Sequence, residues 1–180
     1  MQKVLLHACC AVCCAYPVKL LKNEGFEPIV YFYNPNIYPQ KEYEIRLNEL
    51  IEYSRKENFE LIVENYTPND FEEISKGLEN EPEKGARCEK CYFLRLDKTA
   101  KKAKELGILN FTTTLSVSPH KAFQKILKKG ELAAQKHNVK YLAYDFKKHD
   151  GFKITQQIAR ENSMYKQTYC GCRYSIRPKI

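Results

Sequence analysis

Five short apolar runs punctuate this chain, and the stretches between them carry apolar residues at helical spacing. Residues 3–7, 28–33, 60–64, 110–115 and 140–144 are rich in aliphatic, aromatic or β-branched side chains and predict strands. Residues 15–23 predict a first helix, in which Pro17 fits only the first turn and Gly25 marks the stop. Residues 41–58 place Leu47, Leu50, Ile51 and Ser54 on one face, and residues 91–106 do the same with Leu96, Ala100 and Ala103. Shorter helical patterns cover 70–78, 121–129, 131–136 and 154–162. The stretch 79–87, with Pro82 and Gly85, reads as a polar loop.

Strands alternating with helices predict an α/β fold, a parallel sheet flanked by helices in a Rossmann-like, HUP-type arrangement. A length of 180 residues suits a single domain with a sizeable core, including a cysteine-containing tail from residue 163 that folds back on the site. Sites in such sheets lie at the carboxyl ends of strands, where the first cysteine cluster and Ser116-Val117-Ser118 both fall. No apolar run approaches bilayer length, and the amino terminus runs straight into cysteines rather than through a signal peptide. The expected location is therefore the cytoplasm, with no membrane partner. Clustered thiols in that reducing compartment bind metal or do catalysis more often than they form structural disulfides.

The net charge of +8 is unevenly spread: residues 119–180 hold 14 Lys+Arg against 4 Asp+Glu. A basic carboxyl-terminal third fits a polyanionic partner as well as it fits a solvated lysine-rich surface. The 13 Tyr and 9 Phe include candidates for stacking on bases, although most must serve the core.

The eight cysteines fall into three clusters: Cys9-Cys10 extended by Cys13 and Cys14, Cys88-x-x-Cys91, and Cys170-x-Cys172. The pairs Cys10/Cys13 and Cys88/Cys91 supply four thiolates, enough for tetrahedral zinc or for an iron–sulfur cluster. The first pair follows a strand, leads into a helix and contains no glycine, which is unlike a zinc knuckle and favours iron–sulfur. Backbone N–H groups at a helix start favour thiolates there. Cys9 and Cys10 would point to opposite faces of a regular strand, so they share a centre only where the chain has already turned. A disulfide across Cys170-Gly171-Cys172 would close a strained, labile ring, so this pair reads as a redox-active dithiol or as ligands of a second metal. Gly171 permits the backbone conformation that brings both sulfurs to one side. Cys14 fits a small buried hydrophobe. His7 fits either a partner behind the ligands or a satisfied core histidine. Asp145 and Asp150 are acids of the right type for metal ligation, with no spacing to support it.

Together with their neighbours these clusters resemble the epoxyqueuosine reductase QueH family. The resemblance rests on His7-Ala8-Cys9-Cys10-Ala11-Val12-Cys13, on Arg87-Cys88-Glu89-Lys90-Cys91-Tyr92 with Arg95-Leu96 behind it, and on the stretches 111–121, 145–148 and 165–175, in order along nearly the whole chain. Val12 stands where the family often has proline, and Cys14 is additional to the pattern. The resemblance implies the last step of queuosine formation, in which the epoxide of a modified base in tRNA is reduced to the alkene and its oxygen leaves as water. It also implies a [4Fe-4S] cluster on Cys9, Cys10, Cys88 and Cys91, with Cys13 as substitute ligand, and an electron donor of unidentified nature.

Two routes to the required pair of electrons follow. Either the cluster donates the electrons while an additional mononuclear iron, held by leftover thiolates or by a carboxylate such as Asp145, polarises the epoxide oxygen, or Cys170 and Cys172 form a disulfide as they supply electrons. For the tRNA, Lys121, Lys125, Lys128, Lys147, Lys148, Arg173 and Arg177 are candidate phosphate contacts, and Tyr165 and Tyr169 are candidate stacking platforms for an extruded base. Two rivals differ in kind. One is a non-catalytic zinc protein that binds nucleic acid. The other is an ATP-using sulfur-transfer enzyme of similar sheet, disfavoured because His7-Ala8-Cys9-Cys10 offers no glycine-rich phosphate loop.

Overall fold

The computed structural model describes residues 1–176. Strands β1 (Gln2–His7), β2 (Phe26–Phe32), β3 (Leu61–Val63), β4 (Asn110–Thr113) and β5 (Lys140–Tyr141) form one sheet in the order β3-β2-β1-β4-β5. Every neighbouring pair is parallel, with Leu5 opposite both Ile29 and Phe111. Helices α1 (Ala11–Asn23), α2 (Gln40–Glu57), α3 (Pro68–Ser75), α4 (Ala86–Glu105), α5 (Phe123–His137) and α6 (Gly151–Glu161) make the crossovers and flanks. The α/β expectation therefore holds.

The strand alternation divides the core in two. Val4, Leu6, Val30 and Phe32 pack with α1, α2 and α6 residues such as Val18, Leu50 and Ile158. Leu5, Ile29, Tyr31 and Phe111 pack on the other face with Leu96, Ala100 and Ala133 of α4 and α5. Burying both faces is what forces the strands to read as nearly continuous apolar runs.

The helix boundaries differ from the sequence pattern where the site intrudes. Helix α1 starts at Ala11, not at residue 15, so Pro17 sits inside it rather than in its first turn. Cys10 supplies the cap, its sulfur accepting from the Cys13 N–H at 3.4 Å, a role that apolar periodicity does not register. Helix α4 starts at Ala86, inside the stretch read as a loop, because Glu81 Oε2 accepts the Ala86 N–H at 2.9 Å from upstream. The two helices expected over 121–136 are one. Gly130 does not break it, and a Cβ there would lie 2.6 Å from the Tyr141 ring. Strand β4 ends at Thr113, where the hydroxyl accepts the Leu115 N–H and starts a 3-10 turn over Thr114–Val117. Strand β5 ends at Tyr141, short of residue 144. The chain beyond it is tethered by Thr112 and Ser116 hydroxyls donating to the Leu142 and Tyr144 carbonyls.

Candidate active site

The carboxyl ends of β1 and β4 frame the site. After β1 the Ala8 N–H still bonds the Tyr31 carbonyl, but the Cys9 N–H turns to Thr114 Oγ1 at 3.4 Å. The chain has turned by Cys10, and the Cys9 and Cys10 sulfurs stand 3.8 Å apart. With Cys13, one turn into α1, they form a trio of sulfurs all within 4.8 Å of one another. All three belong to the amino-terminal cluster.

A cavity of about 480 Å³ opens beside this trio, and Cys13, Cys88, Cys91, Cys170 and Cys172 line it. Cys88 and Cys91 come from the first turns of α4, and Arg95 follows one turn later on the same helix. The tail brings Cys170 and Cys172. Its Gln167 also lines the cavity, with Nε2 donating to Cys10 Sγ at 3.1 Å. Residues 157 positions apart thus meet at one sulfur. Cys14 is fully buried outside the trio, and burial pushes its thiol up.

The tail is held by a built device. Arg46 of α2 is 1% exposed and pairs with Glu42 at 2.8 Å. Its two terminal nitrogens donate to the Tyr169 and Cys170 carbonyls, each at 3.1 Å. Glu42 in turn accepts from the Tyr165 hydroxyl, and the Tyr38 N–H donates to the Gly171 carbonyl at 2.8 Å. Gly171 has φ +111, and a Cβ there would press on Arg46 Nη1 and Ile37 at 3.0 Å. Its glycine identity thus follows from both backbone and space.

The thiols divide the charge between them. Hydrogen bonds from Cys10 and Cys13 hold the Cys9 thiol well below its ordinary value. The bond with Cys13 favours the Cys10 thiolate, but that with Cys9 opposes it, and with burial Cys10 is pushed up to about 12. The hydrogen bonds of Cys13 with Cys10 and Cys9, followed by burial, push its thiol up. In the tail, the hydrogen bond from Cys172 pulls Cys170 down and leaves Cys172 raised. In the amino-terminal cluster and in the tail one thiol is thus lowered while its neighbours are raised, an arrangement that a bound cation overturns by taking several thiolates at once.

His7 is the satisfied core histidine. Its Nε2–H donates to the Tyr33 carbonyl at 3.1 Å, Thr113 Oγ1 lies 2.9 Å from Nδ1, and burial lowers its pKa to about 4.

The cavity wall is cationic. Lys84, Arg87, Arg95, Lys121 and Lys166 line it against one carboxylate, Glu83. Of the residues assigned to tRNA from sequence, Lys121 and Tyr169 reach this wall. Lys128 and Lys148 are exposed elsewhere. Lys125 is engaged by Glu89 at 2.8 Å, Arg173 by Glu72, and the Tyr165 hydroxyl by Glu42. Lys147 binds Asp145 at 2.6 Å, and neither residue lines the cavity. Arg177 lies outside the described residues. Among the cavity residues with no role from sequence are Arg95, Gln167, Phe152 and Thr155, the last with a buried hydroxyl that has no partner among the described residues. The visible signal was spacing alone. Cys91 and Arg95 stand four apart, as do Phe152 and Gln156, and each pair shares a helix face.

A family model described as "Epoxyqueuosine reductase QueH" matches residues 4–178. This chain belongs to the QueH family. Among QueH relatives, the epoxyqueuosine reductase of Acinetobacter baylyi is 39% identical over 177 residues, covering 98% of this chain and 81% of its own. That of Histophilus somni is 39% identical, covering 98% and 73%, and that of Streptococcus pyogenes 38%, covering 97% and 70%. QueH members are oxidoreductases by name, so the chain is an enzyme of that class. The fold is shared more widely. A predicted subunit of tRNA methyltransferase from Methanocaldococcus jannaschii superposes with TM-score 0.61 at 14% identity, over 89% of this chain and 75% of its own. The U34-tRNA thiolase NcsA from Methanococcus maripaludis, solved with its [4Fe-4S] cluster, superposes with TM-score 0.61 at 12% identity, over 98% and 62%. Among the described residues no helix is long and apolar enough to cross a membrane.

Proposed function

We propose that this chain reduces epoxyqueuosine in tRNA to queuosine, with a [4Fe-4S] cluster held by Cys9, Cys10, Cys88 and Cys91 and with Cys13 as the substitute ligand. One observation carries the reading beyond family membership: three separate cysteine clusters meet around a single cation-walled cavity. The donor set suits the cofactor chemically, since it is all sulfur; among the described residues the sulfurs of Cys9, Cys10 and Cys13 stand within 4.8 Å of one another, and Cys88 and Cys91 face them from the cavity wall. When bound, the cluster supplies electrons one at a time.

The chain's own residues account for the rest. Opening the epoxide to the alkene and water consumes two electrons and two protons. Cys170 and Cys172, passing from a thiolate–thiol pair to a disulfide, release two electrons and the Cys172 proton, and the second proton comes from solvent. Cys170 carries the depressed thiol and Cys172 holds its proton, so the pair is poised asymmetrically for that exchange. An external donor then restores the dithiol. Lys121 and Lys166 line the cavity as cations for the tRNA backbone, and Tyr169 offers an aromatic surface for the extruded base.

Anaerobic loading with iron and sulfide, followed by assay on epoxyqueuosine-containing tRNA, tests this. The expected protein is brown, holds iron and sulfide in equal amounts and forms queuosine. Its Cys170→Ala, Cys172→Ala double variant keeps the colour and loses multiple turnover. A colourless zinc protein that binds tRNA without reducing it would return the assignment to the non-catalytic rival.

A further inference from the structure

Three arginines are almost fully buried, and their surroundings differ. Arg46 is paired with Glu42. Arg87 donates to the Leu78, Glu79 and Glu81 carbonyls at 2.8, 3.1 and 2.8 Å and stacks over Tyr174 at 4.5 Å. The Arg95 side chain, 3% exposed, makes one hydrogen bond among the described residues, from Nε to the Cys91 carbonyl at 3.3 Å. It forms no ion pair with any described carboxylate, and it lines the cysteine cavity. A guanidinium cannot shed its proton to escape burial, and leaving one unpaired in the interior is strongly unfavourable. Burial opposes its charge, and the groups that favour it are chiefly sulfurs, those of Cys91, Cys9 and Cys170, with the Tyr92 hydroxyl after them. His7 adds no competing charge, since burial and then the Arg95 charge lower its pKa to about 4.

We propose that Arg95 is the counter-charge of the sulfur-bound centre, a positioning residue that favours its electron-loaded state. The inference rests on the iron–sulfur reading above. Four thiolates outweigh the charge of the iron–sulfur core, so the bound group is an anion, and each electron gained makes it more negative. A fixed cation beside it stabilises the reduced form more than the oxidised form and raises the reduction potential. Arg95 thus makes a weak cellular donor sufficient without touching the substrate.

The test is a spectroelectrochemical titration of iron-loaded protein without tRNA. In Arg95→Gln the midpoint should fall. At the wild-type midpoint the oxidised-to-reduced ratio should rise about tenfold or more, equivalent to about 59 mV for a one-electron couple. Arg95→Lys, which keeps the charge, should stay within that factor. Should Arg95→Gln lose its iron, the lysine variant decides: a midpoint close to wild type supports the proposal, and a tenfold shift overturns it. An unmoved midpoint in Arg95→Gln overturns it as well. If tRNA affinity and its salt slope fall instead, the guanidinium serves a phosphate. Wild-type protein that takes up no iron overturns the cofactor and this inference together, whereas a loaded wild type with an indifferent Arg95 overturns this inference alone.

Discussion

Glu64 illustrates how one side chain couples the sheet to a helix. It lies just past β3, accepts the Tyr31 hydroxyl at 2.9 Å and pairs with Lys102 of α4 at 3.4 Å. Partial burial opposes its charge, but the Tyr31 bond, the Asn65 N–H and Lys102 outweigh that and lower its pKa. A depressed carboxyl contributes stability above the ordinary glutamate range and loses it as the pH falls through the folded-state value. Chemical denaturation should therefore find Glu64→Gln less stable by about 0.5–1 kcal/mol at pH 7, a half-exposed pair being screened, with the difference vanishing on acidification below about pH 4. Gly171 combines a left-handed backbone with a crowded Cβ position. With φ +111 and Arg46 and Ile37 at 3.0 Å from a would-be Cβ, Gly171→Ala should cost about 1–3 kcal/mol or release the tail, read by thermal unfolding and by faster alkylation of Cys170.

At the level of elements, the tail is an appendage held largely by α2, with further ties at Cys10, Tyr38 and Glu72. Replacing Arg46 by Met strands Glu42 and frees the Tyr169 and Cys170 carbonyls, a loss of about 3–5 kcal/mol when one member of a buried pair is removed. Limited proteolysis should then cut between residues 163 and 176 well before the sheet is attacked. Unchanged resistance would show that the tail is held by other means. The same elements explain what sequence could and could not reveal. Strands were legible because both faces are buried and their side chains are nearly all apolar. The starts of α1 and α4 were not, because their first turns spend their side chains on sulfur chemistry, and because Cys10 and Glu81 cap them in place of Ser, Thr, Asp or Asn at the usual position. Glycine at 130 imitated a helix break while serving a close approach to Tyr141.

Across the whole molecule, local spacing located the cysteines, but only tertiary structure could select among the cations. Lys125, Lys147 and Arg173 looked equivalent to Lys121 along the chain, yet each is committed to a carboxylate, whereas Lys121 and Lys166 line the cavity. Charge reversal at Lys121 or Lys166 should weaken tRNA binding and reduce the slope of log affinity against log salt by about 1 for each phosphate no longer neutralised. The same change at Lys147 should leave the slope nearly unaltered. A uniform response across all three would mean that the nucleic acid follows a broad basic surface instead of this one opening.

The bond from Gln167 to Cys10 ties the first cysteines to a segment 157 residues further along the polypeptide. During synthesis, the strand bearing Cys9 and Cys10 leaves the ribosome long before the segment that closes over it. A chain stalled before residue 165 would have its amino-terminal sulfurs without the amide that restrains one of them or the pair that completes the pocket. Loading with iron is therefore expected to wait until the segment around Gln167 has emerged, and copies terminated before it should accumulate empty.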